Sequence, residues 1–536
     1  MDLRSYSGLL IDDIPEMRSS VRIQLTDAGL EKCDTARNVK EAIDKLSANR
    51  YDLIVCDYNL GQGADGQQFL ELVRRKQLLP LSTAFLMITG ETGYEQVSTA
   101  AEFAPDDYLL KPFTSQTLHT RLDRILEKKE ALRPIYKHMG ERGDRKLALA
   151  ACEQLLEEKS RYTLDILRMK GELLRTLGRN AEALALYEGV LAQRSTPWAD
   201  VGRARAIAAL GREDEAKEHL QRALEAYPNY LAAYDSLAGL LEKTDKLAAQ
   251  QIVEQALKVA PSTQRQRRIG GLAMENKDFA RAEEAFKRTV EKDRTGFFKS
   301  HDDYAGLAKS CAEQGKTAEA LGAVKEMASH FQRTPELAAR QAAVESQVHA
   351  RVGNAEQAKA ALERALAVMK DAELAPDAAL EVAQACFAGG KDDDAKAIIR
   401  SVAEDNHEDD QVLARAQAVF ATAGLGDEGT VFLEATRKRM IALNNDAVAL
   451  AKGGQLDEAI AMLQEAADRL HNNAQVSINA ALALLMRMQK NGLDADRLAQ
   501  AQRYLEQARH ANPEHPRLAE VEAFYARLAP AENRGS

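Results

Sequence analysis

Five side chains near the start of the chain stand directly at the ends of short apolar runs, and their types suit phosphoryl chemistry. Asp12 and Asp13 follow Gly8-Leu9-Leu10-Ile11, and Asp57 closes Leu53-Ile54-Val55-Cys56. Thr89 closes Ala84-Phe85-Leu86-Met87-Ile88, and Lys111 follows Asp107-Tyr108-Leu109-Leu110. Three carboxylates brought together repel one another unless a cation bridges them, and an oxygen-only ligand set suits Mg²⁺. A hydroxyl and an ammonium opposite them suit a phosphoryl group, and an aspartate can accept one as an acyl phosphate. In-line transfer asks mainly for positioning and charge neutralisation, which these five residues would supply together. Taken singly, each is an ordinary loop or helix cap. They make a site only if one scaffold delivers them all to the same place.

The surrounding pattern predicts such a scaffold. The apolar runs, β-branched at Ile54 and Val55, read as strands buried on both faces. Lys32–Ala36 reads as a further short strand. Helical patterns separate them. One opens at Pro15 and stops near Ala28-Gly29. A second is capped by Asn38, and a third opens at Gly66 with Phe69, Leu70, Leu72 and Val73. A fourth covers Val97–Phe103, and the last runs from about Thr114 to Leu132. Five strands alternating with five helices predict an α/β fold, a doubly wound five-stranded parallel sheet. In such sheets ligands sit outside the carboxyl ends of the strands, where all five residues would lie.

Residues 1 to about 125 thus resemble the receiver domain of two-component response regulators, a flavodoxin-like fold. The resemblance implies Asp57 as the phosphoacceptor, with Thr89 and Lys111 contacting the phosphoryl oxygens. It implies Mg²⁺ held by Asp12, Asp13, Asp57 and the backbone carbonyl of Asn59. It also implies a cis Lys111-Pro112 bond and Tyr108 as an aromatic switch working with Thr89. The phosphoryl donor would be a sensor histidine kinase, a phosphotransfer protein or a small phosphodonor. The loop Tyr58-Asn59-Leu60-Gly61-Gln62-Gly63-Ala64-Asp65-Gly66 departs from the family in lacking its usual proline and in being one residue longer. A looser Mg²⁺ side and an altered phosphoryl lifetime are the expected consequences.

Beyond this region every long segment has helical periodicity. Pro134 and Gly140-Glu141-Arg142-Gly143 predict a break, giving a receiver at 1–127, a linker at 128–140 and a repeat array at 141–530. The repeating phrase is Gly, then Ala five residues later, then an apolar residue four on and another three after that. Gly178/Ala183/Tyr187/Val190, Gly211/Ala216/Leu220/Ala223 and Gly454/Ala459/Leu463/Ala466 are examples. Ala183, Ala216, Ala249 and Ala282 are spaced by 33 residues. The glycine turns one helix into the next, the alanine lets paired helices approach, and the larger residue fills the gap to the neighbouring pair. This resembles the tetratricopeptide repeat family, with a period of about 34. It implies an all-α superhelical solenoid of ten or eleven copies, one of them degenerate near 403–440 because Gly424-Leu-Gly-Asp-Glu-Gly429 lacks the alanine. In that family the concave surface binds other proteins or peptides.

Composition narrows the function. The 536-residue chain carries a net charge of −10, which weighs against nucleic acid and anionic membranes as partners. Two short basic clusters, Arg265/Arg267/Arg268 and Arg437/Lys438/Arg439, read as solvated helix faces. Cys33, Cys56, Cys152, Cys311 and Cys386 are scattered, as in reduced cytosolic proteins. The start lacks a signal-peptide pattern, no apolar stretch is long enough to span a bilayer, and a cytoplasmic location is expected. No phosphate-loop or zinc-enzyme motif is present, so no enzyme activity is expected beyond turnover of the aspartyl phosphate. Trp198 is expected between repeats; Asn479 lies on a first helix, where some members of the repeat family hold peptide backbone or carboxylates, but a single Asn is more often simply exposed. The sequence therefore predicts a two-component signalling protein with an unidentified protein partner on the repeats. Homodimerisation remains open, and the alternatives are a constitutive scaffold or, less favoured, a nucleic-acid regulator.

Overall fold

Alternation of strand and helix builds the predicted sheet in the first residues. In the computed structural model β1 (Ser7–Ile11), β2 (Lys32–Ala36), β3 (Leu53–Asp57), β4 (Ala84–Thr89) and β5 (Asp107–Leu110) pair in the order β2-β1-β3-β4-β5, all parallel. The structure describes residues 3–61, 64–90, 104–139, 143–292, 299–470, 472–513 and 515–529. Helices α1 (Pro15–Asp27), α2 (Val39–Ala48), α3 (Gly66–Arg75) and α4 (Ser115–Tyr136) flank the sheet. The helix expected at 97–103 lies outside the described residues, as do Gln62 and Gly63. Asn38 caps α2 by accepting from the Glu41 amide, as its position predicted. β3 and β4 are buried along their whole length, so the chain places no polar residue there until the strand ends.

The linker expected at 128–140 is not a linker at its start. α4 continues through Pro134 to Tyr136. Its first half packs Leu118, Leu122, Ile125 and Leu126 against the sheet. Its last turns bury Leu132 and Ile135 with Ala148, Leu149, Cys152 and Ile166. A proline inside a helix costs about 3 kcal/mol, whereas burying two large aliphatic side chains contributes roughly 1.5–3 kcal/mol each. Tertiary burial therefore overrides the local break.

The chain divides into two compact units, Met1–Gly306 and Leu307–Ser536. In both, paired helices repeat. The glycines of the repeating phrase, Gly178, Gly211, Gly315, Gly353 and Gly454, adopt φ between +73° and +85° at the turns between paired helices. The wedge logic is visible at Tyr187, 1% exposed. A Cβ added at Gly171 or at Gly202 would lie 2.6 or 2.4 Å from its ring. Trp198 packs edge-on to the same ring at 6.2 Å.

The copy expected to be degenerate near 403–440 keeps its packing but not its turn. Gly429 occupies the alanine position five after Gly424, and a Cβ there would sit 2.4 Å from Phe420. Leu433 and Thr436 follow at the regular spacing, both buried. What differs is the turn: one helix, Gly426–Lys452, spans 27 residues. Gly429 and Ala459 are only 30 apart, against 33 for the steps from Ala183 to Ala282 and 37 or 38 for those from Ala282 to Ala395, which leaves no room for the intervening loop.

Candidate functional site

Parallel register aligns the strand ends. Ile11 pairs with Cys56, Asp57 with Ile88 and Thr89 with Leu110, so the residues that follow emerge along one rim. Asp12, Asp13 and Asp57 converge there, with one carboxylate oxygen from each lying within 4.8 Å of the others. Lys111 Nζ stands 2.9 Å from Asp57 Oδ2 and 3.6 Å from Asp12 Oδ2. The Lys111-Pro112 bond is cis, and the Lys111 amide donates to the Thr89 carbonyl at 2.7 Å.

Asp12 and Asp57 are 1% and 5% exposed. Burial pushes both carboxyls above the usual range, while Lys111 pulls each back; the Ile14 amide also holds Asp12 down at 2.9 Å. The carboxylates raise one another, as like charges do in a buried site. Asp12 Oδ2 is buried without a hydrogen-bond partner among the described residues. An orphaned carboxylate oxygen among three acids, with oxygen donors only, fits a hard divalent cation such as Mg²⁺.

Each predicted site residue falls in or beside this rim. Thr89 is buried at the end of β4, and Tyr108 is buried in β5 with 8% exposed, packed into the core between the sheet and α2/α3. Asn59 is exposed in the loop after β3, its Oδ1 accepting from the Gly61 amide at 3.2 Å. Sequence reasoning missed two supports. A Cβ on Gly66 would lie 2.3 Å from the Asp57 carbonyl, so only glycine lets α3 start this close to the acceptor strand. Asp65 and Gln68 form a reciprocal capping box at the same point, a D-x-x-Q signal legible in the chain.

The basic residues singled out from sequence in the array are engaged in ion pairs. Arg265 pairs with Asp235 at 3.0 Å, Arg267 with Asp303 at 2.6 Å and Arg268 with Glu242 at 2.6 Å. Arg437 pairs with Asp410 at 3.1 Å, Lys438 with Glu434 at 3.6 Å, and Arg439 with Glu404. The second cluster is the solvated helix face expected, with all three side chains exposed, whereas the first is not: Arg265 is buried and Arg267 and Arg268 are half-buried. Asn479 is not exposed: it is 4% accessible, bonded to Asn444 and accepting from Arg517 at 3.0 Å. All five cysteines are free and buried. Among the described residues no helix is long and apolar enough to cross a membrane.

Comparison with known proteins agrees with this geometry. Residues 9–123 match the response regulator receiver domain family, and residues 140–197, 168–231 and 344–409 match the tetratricopeptide repeat family. The chain belongs to the receiver family through its N-terminal domain, which is followed by tetratricopeptide repeats. It is similar to the chemotaxis protein CheY-3 of Vibrio cholerae, 34% identical over 120 residues that cover 22% of this chain and 91% of the relative. CheY of Pseudomonas aeruginosa is 31% identical over 120 residues, covering 22% of this chain and 95% of that protein. A solved structure of Vibrio cholerae CheY4 is 32% identical, covers 23% of this chain and 98% of that one, and has a TM-score of 0.21. YrrB, described as a TPR protein with an unusual peptide-binding site, is 17% identical over 34% of this chain and 93% of its own, with a TM-score of 0.29.

Proposed function

We propose that this protein is a phosphorylation-regulated signalling protein of a two-component system. Asp57 accepts a phosphoryl group from a sensor histidine kinase or phosphotransfer protein, and the repeats, over residues 141–530, bind a partner protein. The observation that carries the reading is the Lys111 ammonium 2.9 Å from Asp57 and 3.6 Å from Asp12, facing three converged carboxylates. An Asp57 oxygen attacks phosphorus while the bond to the donor's leaving atom breaks, leaving an acyl phosphate. Lys111 neutralises a phosphoryl oxygen, and the Thr89 hydroxyl bonds another. Asp12, Asp13, Asp57 and the Asn59 carbonyl would hold Mg²⁺, which supplies further charge neutralisation when bound. Tyr108 and Thr89 form the switch pair, both on strands whose ends meet the phosphoryl group. The location proposed is the cytoplasm.

Incubation with a small phosphodonor and Mg²⁺ should add one phosphoryl mass to the wild-type chain and none to Asp57→Asn. Equal labelling of both would remove Asp57 from the mechanism. A second reading, a constitutive scaffold with the receiver as docking module, is favoured by Leu132 and Ile135, both 0% exposed among repeat residues. In that case a beryllofluoride mimic of the phosphoryl group leaves partner affinity unchanged.

A further inference from the structure

The run of α4 from the sheet into the first repeats leaves a cleft of about 970 Å³ beside it. One wall belongs to the receiver and includes Asp106, Arg124 and Lys128. The facing wall comes from the first repeats, with Tyr162, Arg168, Trp198 and Tyr230 among its residues.

Charge and shape indicate what the cleft takes. Among the described residues that line it, six are basic and four are carboxylates, in a chain whose net charge is −10. Most of the cations are already engaged: Lys128 with Asp165 at 2.6 Å, Lys129 with Asp106 at 2.9 Å, and Arg124 with Asp107. Arg168 is exposed and has no ion pair or hydrogen bond among the described residues. In the same lining Tyr162, Trp198 and Tyr230 are half-buried; Arg161 lies over the Tyr162 ring at 4.8 Å, and Trp198 and Tyr230 present aromatic surface. Arginine next to tyrosine and tryptophan is the composition of protein-binding hot spots. A small-molecule pocket is mostly apolar, whereas this lining is rich in charge. A continuous polyanion such as nucleic acid would meet the four carboxylates, while carboxylates spaced along a peptide can avoid them.

We propose that this composite cleft binds an extended acidic segment of a partner protein. Arg168 takes a carboxylate through its planar fork, and Trp198 with Tyr230 takes a neighbouring apolar or aromatic side chain. The proposal rests on the reading of the repeats as a protein-binding output and narrows it to one place. It also ties that output to the acceptor site. Asp106 directly precedes β5, which Lys111 follows, and Asp106 accepts from the Phe85 amide in β4 at 2.8 Å and from Lys129 in α4 at 2.9 Å.

The test is selection of random peptides of about twelve residues, roughly 40 Å when extended, on the full-length chain. Selected peptides are labelled and titrated by fluorescence anisotropy, with and without beryllofluoride and Mg²⁺. They should be enriched in Asp or Glu beside an aromatic residue. Arg168→Glu should weaken them at least about tenfold, Arg168→Lys should weaken them by a smaller factor because it keeps the charge but loses the fork, and the distant Arg222→Glu should leave affinity unchanged. Arg168 has no partner to lose, so its variants keep the fold. Failure to select any peptide, equal binding to Arg168→Glu, or tighter binding of a thymidine oligonucleotide of similar length overturns the proposal. Indifference to Arg168 together with Asp57-dependent labelling sinks the cleft and leaves the phosphorylation reading standing. Dependence on Arg168 with labelling of Asp57→Asn does the reverse.

Discussion

Receiver and repeats use charge in opposite ways. The receiver sheet drives Asp12, Asp13 and Asp57 onto one point and sets a single ammonium, Lys111, against Asp57 and Asp12. The first repeats spread theirs into small balanced groups along the helices, with Arg265 and Arg268 on Asp235, Arg268 also on Glu242, and Arg267 on Asp303. Converged like charge makes the apo state costly and leaves it responsive to a cation or a phosphoryl group. Charge already paired off holds helices together and offers little to a ligand. Arg168 is informative as an exception inside the repeats.

The comparison breaks most visibly if a buried pair in the repeats behaves like a surface pair. Asp303 is 1% exposed; burial pushes its carboxyl up and Arg267 holds it down. Arg267→Ala should cost about 3–5 kcal/mol, read from the urea midpoint, and a loss below about 1 kcal/mol would mean the carboxylate is solvated. Next in size is the receiver's response to metal. Mg²⁺ at about a hundred times its dissociation constant should stabilise the wild-type receiver by about 2.7 kcal/mol, and Asp13→Asn should lose most of that gain. A thermal midpoint indifferent to Mg²⁺ would undo the contrast.

A third test moves to the second unit, where Asp405 departs from the rule of pairing. Burial first, then the neighbouring Glu373, pushes its carboxyl up to about 7, while the Asn472 amide and Arg469 act in the opposite direction. A raised folded pKa stabilises when the group is protonated. Its contribution is therefore complete below the unfolded value near 3.8, falls as pH rises, and is gone above about 7. The slope is at most about 1.4 kcal/mol per pH unit, and Asp405→Asn should flatten it in pH-dependent urea melts. The smallest effect belongs to an exposed pair, Arg222–Glu218 at 3.2 Å. Arg222→Ala should change stability by no more than about 0.5 kcal/mol.

Much of the receiver could be read from the chain because its site residues sit at strand ends, and strand ends are marked locally by where an apolar run stops. Asp12, Asp57, Thr89 and Lys111 all lie where that rule put them. Gly66 was read only as a helix start, since its clash partner is the backbone carbonyl of Asp57, nine residues earlier. The repeats were legible as a period but not in detail. Gly429 was taken for a missing alanine because its fit depends on Phe420, and Asn479 was taken as exposed because Arg517 covers it from 38 residues away.

The sequence by itself determined the two architectures and the acidic rim, because periodicity and the residue at each strand end are local properties. Only the tertiary structure decided that α4 runs through Pro134, that the arginine clusters are paired, and that the receiver and first repeats enclose a common cleft. Those outcomes are settled by burial and ion pairing between residues distant along the chain. Leu132 and Ile135 reach Cys152 and Ile166, and Arg267 reaches Asp303. Local propensity carries no record of such contacts, and at Pro134 they outweighed it.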